Sequence, residues 1–397
     1  MSERPVHAVV LPAGPPLFDL VRRALHDDGP AIVPLDPDLP APALRDVLAA
    51  VRPTHLVTAE GTRTVPDGVP AGAGTAVVIT TSGSTGPPKG VELSAAALSA
   101  AAAASLRRLS AGPGERWLCC LPPSHVSGLQ VLVRSLLAGS EPLIHPGFSP
   151  AAVAAAGADH VSLVPTQLRR LIDHGADLSR FRTVLLGGAA APPGLLAAAR
   201  RAGGRVVTTY GMSETCGGCV YDGVPLDGVE VAAGPGDGRI MIRGPVLFTG
   251  YRLRPDLTAA ARPDGWFRTA DLGVVAGGRL RVSGRADDVI NTGGRKVTAG
   301  AVAGVLAGDP AVREAVVVGR PHPDWGEEVV AVVVPADPAA PPSLPGLRAL
   351  VKAGLPAYAA PRALMVVDRL PLLPNGKPDI VQIRRDISRF ASTAEVS

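Results

Sequence analysis

Lysine is nearly missing from this chain. Of 39 basic residues among 397, four are lysine: Lys89, Lys296, Lys352 and Lys377. Positive charge is otherwise written as arginine, so a position that keeps lysine points to a need for a compact, flexible ammonium that a planar guanidinium does not replace. Three of the four stand in glycine-rich segments. Long apolar runs are also lacking. No stretch of 18 apolar residues other than alanine exists, and Met1-Ser2-Glu3-Arg4-Pro5 does not have the shape of a signal peptide, so a soluble cytoplasmic protein without a membrane span is expected. Cysteine is scarce: four in a chain of this length do not make a disulfide framework. Cys216-Gly217-Gly218-Cys219 has zinc or redox spacing but no second pair and no histidines, and is expected to line a pocket instead. A net charge of +4, scattered along the chain, argues against a nucleic-acid partner. No internal repeat is present.

What is present is core-forming material. The chain is 46% hydrophobic and long enough for one large domain and a smaller one. Residues 1–75 read as a short α/β start, with strands at Ala31–Leu35 and His55–Val57 and a helix at Ala43–Val51. From 76 to 210, strands (Trp117–Leu121, His160–Val164, Thr183–Leu186, Val206–Thr209) alternate with helices (Leu129–Leu137, Thr166–Asp173, Pro192–Ala202). That alternation predicts a parallel, layered α/β sheet with its ligand at the carboxyl ends of the strands. Residues 228–284 break into short runs between Gly, Pro and Asp, a β-rich subdomain. After a polar junction, Gly284-Arg285-Ala286-Asp287-Asp288, residues 285–397 read as a small α+β cap. Its helices are expected at Thr298–Leu306 and Leu347–Ala353, its strands at Ala315–Val318, Val329–Val334 and Leu364–Val367. The tail after Phe390 is expected to be disordered.

The most informative stretch is Thr80-Thr81-Ser82-Gly83-Ser84-Thr85-Gly86-Pro87-Pro88-Lys89-Gly90. Apolar and β-branched residues lead in as a buried strand, and an alanine-rich helix with Ser94 as N-cap is expected from Ser94 to Leu106. The piece between reads as a strand-to-helix loop of small hydroxyls, glycines and one lysine, which can close on a polyphosphate through backbone N–H groups, hydroxyl donors and a point charge. A Walker loop is excluded by spacing: Pro88 stands where Gly-Lys-Ser/Thr should begin. The stretch resembles the phosphate loop of the adenylate-forming superfamily of acyl-CoA synthetases, luciferases and adenylation domains. The resemblance implies ATP bound by Thr81, Ser82, Gly83, Ser84, Thr85, Gly86 and Lys89.

Further motifs carry the resemblance to Pro378. Tyr210-Gly211-Met212-Ser213-Glu214-Thr215 is similar to the segment whose tyrosine lies by the adenine, whose glutamate holds Mg²⁺ and whose threonine contacts the α-phosphate. It implies Tyr210 and Gly211 for nucleotide, Glu214 for metal and Thr215 for phosphate. Mg²⁺ held by one carboxylate and substrate phosphates is what its chemistry favours. Gly187-Gly188-Ala189-Ala190 resembles the adenine-side wall, which implies Gly188 and Ala189. Trp266-Phe267-Arg268-Thr269-Ala270-Asp271-Leu272-Gly273 resembles the ribose motif, implying Asp271, with Arg285 beside it. Asp287 matches the hinge between domains. Pro374-Asn375-Gly376-Lys377-Pro378 matches the loop of the catalytic lysine, where Lys377 would stabilise charge building on the α-phosphate. Asn291-Thr292-Gly293-Gly294-Arg295-Lys296 resembles the lining of the pantetheine tunnel and implies Lys296. His125 matches the histidine flanking the acyl pocket, although Ser124 stands where the family has an aromatic residue.

The implied architecture is a large layered α/β N-terminal domain (1–284) and a mobile α+β C-terminal cap (285–397). The implied reaction joins a small-molecule carboxylic acid to ATP, then to coenzyme A. The loop begins at Thr80, nearer the N-terminus than in typical members, and Pro122-Pro123-Ser124-His125-Val126-Ser127-Gly128-Leu129 adds a local likeness. Both resemble the o-succinylbenzoate–CoA ligases of menaquinone biosynthesis, which implies 2-succinylbenzoate as the acid. Another acyl- or aryl-CoA ligase, a carrier-protein-loading adenylation enzyme and a non-catalytic nucleotide-binding protein are the alternatives. An oligomer is compatible with all of them.

Overall fold

In the computed structural model, residues 3–26, 28–81, 88–373 and 378–394 are described, with side chains of the last helix through Arg389. They form two compact units: residues 1–188, 199–231 and 242–268, and residues 189–198, 232–241 and 269–397.

The first unit holds two seven-stranded sheets. One runs Gly250–Tyr251, Lys89–Ser94, Thr75–Thr81, Ala31–Leu35, Val6–Val10, His55–Thr58, Gly61–Thr64. The other runs Leu143–Ile144, Trp117–Cys119, His160–Leu163, Thr183–Leu186, Val206–Met212, Gly217–Tyr221, Val224–Pro225. Its first five strands are parallel and its last two antiparallel. The parallel strands His160–Leu163 and Thr183–Leu186 are buried at every residue, as expected when both faces of a sheet are covered. Helix Ala95–Leu109 packs on strands of both sheets and on helix Val126–Leu137. Its buried face includes Ala97, Ala101, Ala102 and Ala104, small side chains that let strands approach closely. Ser94 caps it by accepting a hydrogen bond from the Ala97 N–H at 3.1 Å. The Ser105 and Tyr221 hydroxyls, 2.7 Å apart, tie the helix to the second sheet.

The connection before this helix differs from the expected strand-to-helix loop. Lys89–Ser94 is itself a strand, antiparallel to Thr75–Thr81, with Thr81 opposite Lys89. Gly90, Val91 and Leu93 are buried, so this short segment pays its backbone hydrogen bonds into the sheet before the helix begins. A side chain at Gly90 would meet Val78 at 2.9 Å and Arg252 at 3.2 Å, which fixes glycine next to the lysine. Ser82, Gly83, Ser84, Thr85, Gly86 and Pro87 lie outside the described residues, between the paired ends.

The second unit is built on the hairpin Val312–His322/Gly326–Pro335, with Ala363–Val366 added in parallel. Residues 329–334 are all buried because each face has its own cover. Val329, Ala331 and Val333 face a core with Val302, Leu306, Leu347 and Val351 from helices Ala299–Leu306 and Leu344–Gly354. Val330, Val332 and Val334 face Ile383 and Ile387 from helix Ile380–Ala394. That helix was not anticipated. Its isoleucines, Ile380, Ile383 and Ile387, recur at the three- and four-residue spacing of one helix face, and it runs through residues expected to be a disordered tail. Each buried aliphatic side chain contributes about 1.5–3 kcal/mol. Among the described residues no helix is long and apolar enough to cross a membrane.

Candidate active site

In the first unit the parallel strands deliver their carboxyl ends side by side. The Gly187 N–H donates to the Leu163 carbonyl at 3.1 Å, so the loops after two neighbouring strands are pinned together. Gly188 follows, exposed and with φ of +83°. Ala189, also exposed, belongs to the second unit. The next strand, Val206–Met212, carries half-buried Tyr210 and Gly211 and ends in the 3-10 turn Ser213–Thr215. A β-bulge falls between Tyr210 and Gly211, where a side chain at 211 would stand 2.0 Å from the Gly217 carbonyl oxygen.

The turn sorts its two hydroxyls. Thr215 is fully buried. Its Oγ1 accepts from the Met212 N–H at 2.9 Å and donates to the Gly217 carbonyl at 2.7 Å, so it closes the turn. Ser213 is half-buried, and its hydroxyl makes no hydrogen bond among the described residues. The neighbouring Gly217 lies against Gln130 and Val126 of helix Val126–Leu137. His125, half-buried, is the N-cap residue of that helix, and its carbonyl accepts from the Gly128 and Leu129 N–H groups. Glu214 and the His125 turn are thus on abutting elements.

Glu214 is held from a segment the sequence did not single out. The Phe248 N–H donates to the Glu214 carbonyl at 2.8 Å, and the Tyr251 hydroxyl donates to Glu214 Oε1 at 2.9 Å. Burial and the adjoining carboxylate push the Tyr251 hydroxyl strongly up, so it stays protonated and a donor. Lys89 Nζ lies 5.8 Å from the centre of the same ring. Arg252 anchors the segment: it is buried, pairs with Glu92 at 3.0 Å and donates to the carbonyls of Val51 and Val69. The available signal was one of only four tyrosines following a glycine, too little to find it by pattern.

Mg²⁺ fits this donor set. Glu214 offers a hard carboxylate, and among the described residues no group of three acidic, histidine or cysteine side chains forms a closed cage. A metal here would complete its coordination with phosphate oxygens and water. The cysteines do not compete. Cys216 and Cys219 are buried rather than pocket-lining, and burial raises both thiols, Cys219 to about 12.

The second unit carries four other candidates: Asp271, Arg285, Asp287 and Lys296. Strands Phe267–Ala276 and Arg279–Arg285 place Asp271 opposite Arg285. Arg285 Nη1 donates to Asp271 Oδ1 at 3.2 Å, and its other nitrogens donate to both Asp287 oxygens at 2.8 Å. Asp271 is nearly buried, whereas Arg285 is about half exposed (49%). Burial opposes ionisation of Asp287, but hydrogen bonding and charge from Arg285 hold it below the usual carboxylate range. Burial, then repulsion from Asp287, raises Asp288. Lys296 is exposed on the hairpin Val289–Thr292/Arg295–Thr298. Beside that hairpin's Gly293, the Trp325 ring carries the Arg362 guanidinium at 4.0 Å, and Arg295 lies 5.9 Å from the Tyr358 ring. Lys377 lies outside the described residues.

Comparison with known proteins agrees with this organisation. Residues 65–252 match the family model of the AMP-binding enzyme, and residues 301–377 match that of the AMP-binding enzyme C-terminal domain. A Mycobacterium tuberculosis protein named "Probable 2-succinylbenzoate--CoA ligase" is 45% identical over 335 residues, 81% of this chain and 86% of its own. Among solved structures, an amide bond synthetase from Marinactinospora thermotolerans is 30% identical with a TM-score of 0.86, covering 98% of this chain and 90% of the other. The o-succinylbenzoate CoA synthetase of Bacillus subtilis, in complex with its acyl-adenylate intermediate, is 27% identical with a TM-score of 0.82, covering 97% and 89%. The same enzyme in complex with ATP and magnesium ion superposes with a TM-score of 0.80. With both family models matched and these relatives along most of its length, the chain belongs to the AMP-binding enzyme family of adenylate-forming ligases.

Proposed function

We propose that this chain is an acid–CoA ligase acting on 2-succinylbenzoate in menaquinone biosynthesis. A substrate carboxylate oxygen attacks the α-phosphorus of ATP, and pyrophosphate leaves. The coenzyme A thiolate then attacks the acyl carbonyl, and AMP leaves. One observation carries the choice of acid: the 45% identity with the Mycobacterium tuberculosis relative over 81% of the chain.

The residues divide this work. Thr81 and Lys89, paired at the loop's base, with Ser82, Gly83, Ser84, Thr85 and Gly86 between them, hold the polyphosphate. Tyr210, Gly211, Gly188 and Ala189 take the adenine; Asp271 and Arg285 take the ribose. Glu214 would hold Mg²⁺, which when bound neutralises phosphate charge as the pyrophosphate departs. The hydroxyl that meets the α-phosphate is better assigned to Ser213 than to Thr215, because Thr215 cannot turn outward without opening its own turn. Lys377 stabilises the charge that builds during attack, and its loss is expected to cost on the order of 10²-fold in rate. His125 flanks the acyl group. Asp287 is the hinge between the large domain (1–284) and the cap (285–397). The setting we assign is the cytoplasm, where ATP and coenzyme A are available.

The likeness to an amide bond synthetase favours a second reading, in which an amine accepts the acyl group. Coenzyme A is better supported by the chain's own chemistry. Around the hairpin Val289–Thr292/Arg295–Thr298, Lys296, the Trp325–Arg362 stack and the Arg295–Tyr358 pair supply aromatic faces and cations, suited to a nucleotide with phosphates. Incubation with Mg·ATP, coenzyme A and a panel of 2-succinylbenzoate, benzoate and medium-chain fatty acids should give one thioester, of 2-succinylbenzoate, by mass spectrometry. Preferential turnover of another acid would remove the substrate assignment. Amide formation from a supplied amine, with no thioester, would favour the second reading.

A further inference from the structure

We infer that Tyr251 is the positioning residue for the carboxylate of Glu214, fixing it for a divalent cation by a hydrogen bond to one oxygen. The inference rests on the reading of Glu214 as the metal-side carboxylate. Its ground is the way one segment, residues 248–252, holds both the backbone and the side chain of that residue. Phe248 holds the Glu214 backbone, and Tyr251 holds Oε1 at 2.9 Å. Arg252 fastens the same segment into the sheet through Glu92 and buried carbonyls. The Tyr251 N–H donates to Thr258 Oγ1 at 2.8 Å, so the backbone beneath the ring is fixed as well. Phe248 packs edge-on against Tyr251 at 4.9 Å and against Phe267 at 5.3 Å. Three aromatic residues thus cluster behind one carboxylate in a chain that is 3% aromatic.

The chemistry of the pair suits a metal ligand. The phenol O–H of Tyr251 donates to one carboxylate oxygen, Oε1, at 2.9 Å. A glutamate left to rotate would give up side-chain entropy each time it met a cation; one already held gives up less. Hydrogen-bond partners of metal ligands typically change metal affinity or activity by about 10–100-fold when removed. Lys89 over the same ring adds a link from the base of the phosphate loop to the carboxylate. A packing role alone would need the ring but not the hydroxyl.

Tyr251→Phe keeps the ring, the Phe248 contact and the Lys89 contact, and removes only the donor. Binding of Mn²⁺ to the full-length protein with ATP, followed by electron paramagnetic resonance, reads the metal directly. Tyr251→Phe is expected to weaken Mn²⁺ about tenfold and to raise the Mg²⁺ needed for half-maximal pyrophosphate release by a similar factor, with ATP binding in the absence of metal unchanged. Glu214→Gln should weaken Mn²⁺ further, and the double variant should be no weaker than Glu214→Gln alone, since the tyrosine acts through the carboxylate. If Tyr251→Phe binds Mn²⁺ like the wild type while Glu214→Gln does not, the positioning role is overturned and the metal reading survives. If Glu214→Gln also binds Mn²⁺ like the wild type, the metal reading falls first and the inference with it.

Discussion

Two arginines, one in each compact unit, show how burial divides scaffold from site. Arg252 has a side chain 1% exposed, pairs with Glu92 and is otherwise spent on backbone carbonyls. Arg285 is 49% exposed and forks between two carboxylates, Asp271 and Asp287. The first has no path by which a ligand could take its place. The second is held by charges that water and a nucleotide can also satisfy, and its pairs are screened rather than locked. The same side chain therefore braces Tyr251 in one unit and is open to exchange in the other. Removing one partner of a buried pair leaves an uncompensated charge; removing an exposed one leaves a solvated charge.

The comparison is sharpened first by Arg252→Met. It strands Glu92 and the carbonyls of residues 51 and 69, and is expected to destabilise by about 3–5 kcal/mol. Thermal unfolding should show a fall of about 10 °C. Arg285→Met is the counterpart. It should cost under about 1 kcal/mol of stability, yet raise the KM for ATP roughly tenfold by removing a charged contact to ribose or phosphate. If both variants lost stability equally, exposure would not be what separates them.

The smallest effects come from Asp287 and Asp288. The folded state depresses Asp287, so its contribution to stability is present above its unfolded pKa and is lost as pH falls through the folded one. Asp288 is raised, so its carboxylate is a cost that appears as pH rises through its unfolded pKa and is complete above its folded pKa. At pH 7, Asp287→Asn should lower the unfolding temperature and Asp288→Asn should raise it, each by about 1–3 °C. Both differences should vanish at a pH where the two carboxyls are protonated. Shifts of one sign for the two variants would show that these two charges are not opposed.

Much of the fold was legible because its signals are local. Thr183–Leu186 is an unbroken apolar run between turns, and Ser94 opens an alanine-rich segment it can cap. Lys89–Ser94 was not legible as a strand, because its few apolar residues follow a glycine-rich motif that draws the eye to phosphate. Helix Ile380–Ala394 hid behind charged residues, with Ile383 and Ile387 as its main apolar marks. In the site, the carboxylate could be named from its motif, but its holder could not: Tyr251 lies 37 residues away in a two-residue strand. The motif pointed to Thr215 for the phosphate, and only the turn's geometry shows that its hydroxyl is already engaged.

The most direct test of the account is a single-turnover experiment without coenzyme A, following pyrophosphate and acyl-adenylate from Mg·ATP and 2-succinylbenzoate. The account predicts one pyrophosphate and one 2-succinylbenzoyl adenylate per active enzyme, and conversion of that adenylate to the thioester and AMP when coenzyme A is added. Absence of pyrophosphate release with 2-succinylbenzoate and with every other acid tried would contradict it, and would leave a protein that binds a nucleotide without activating an acid.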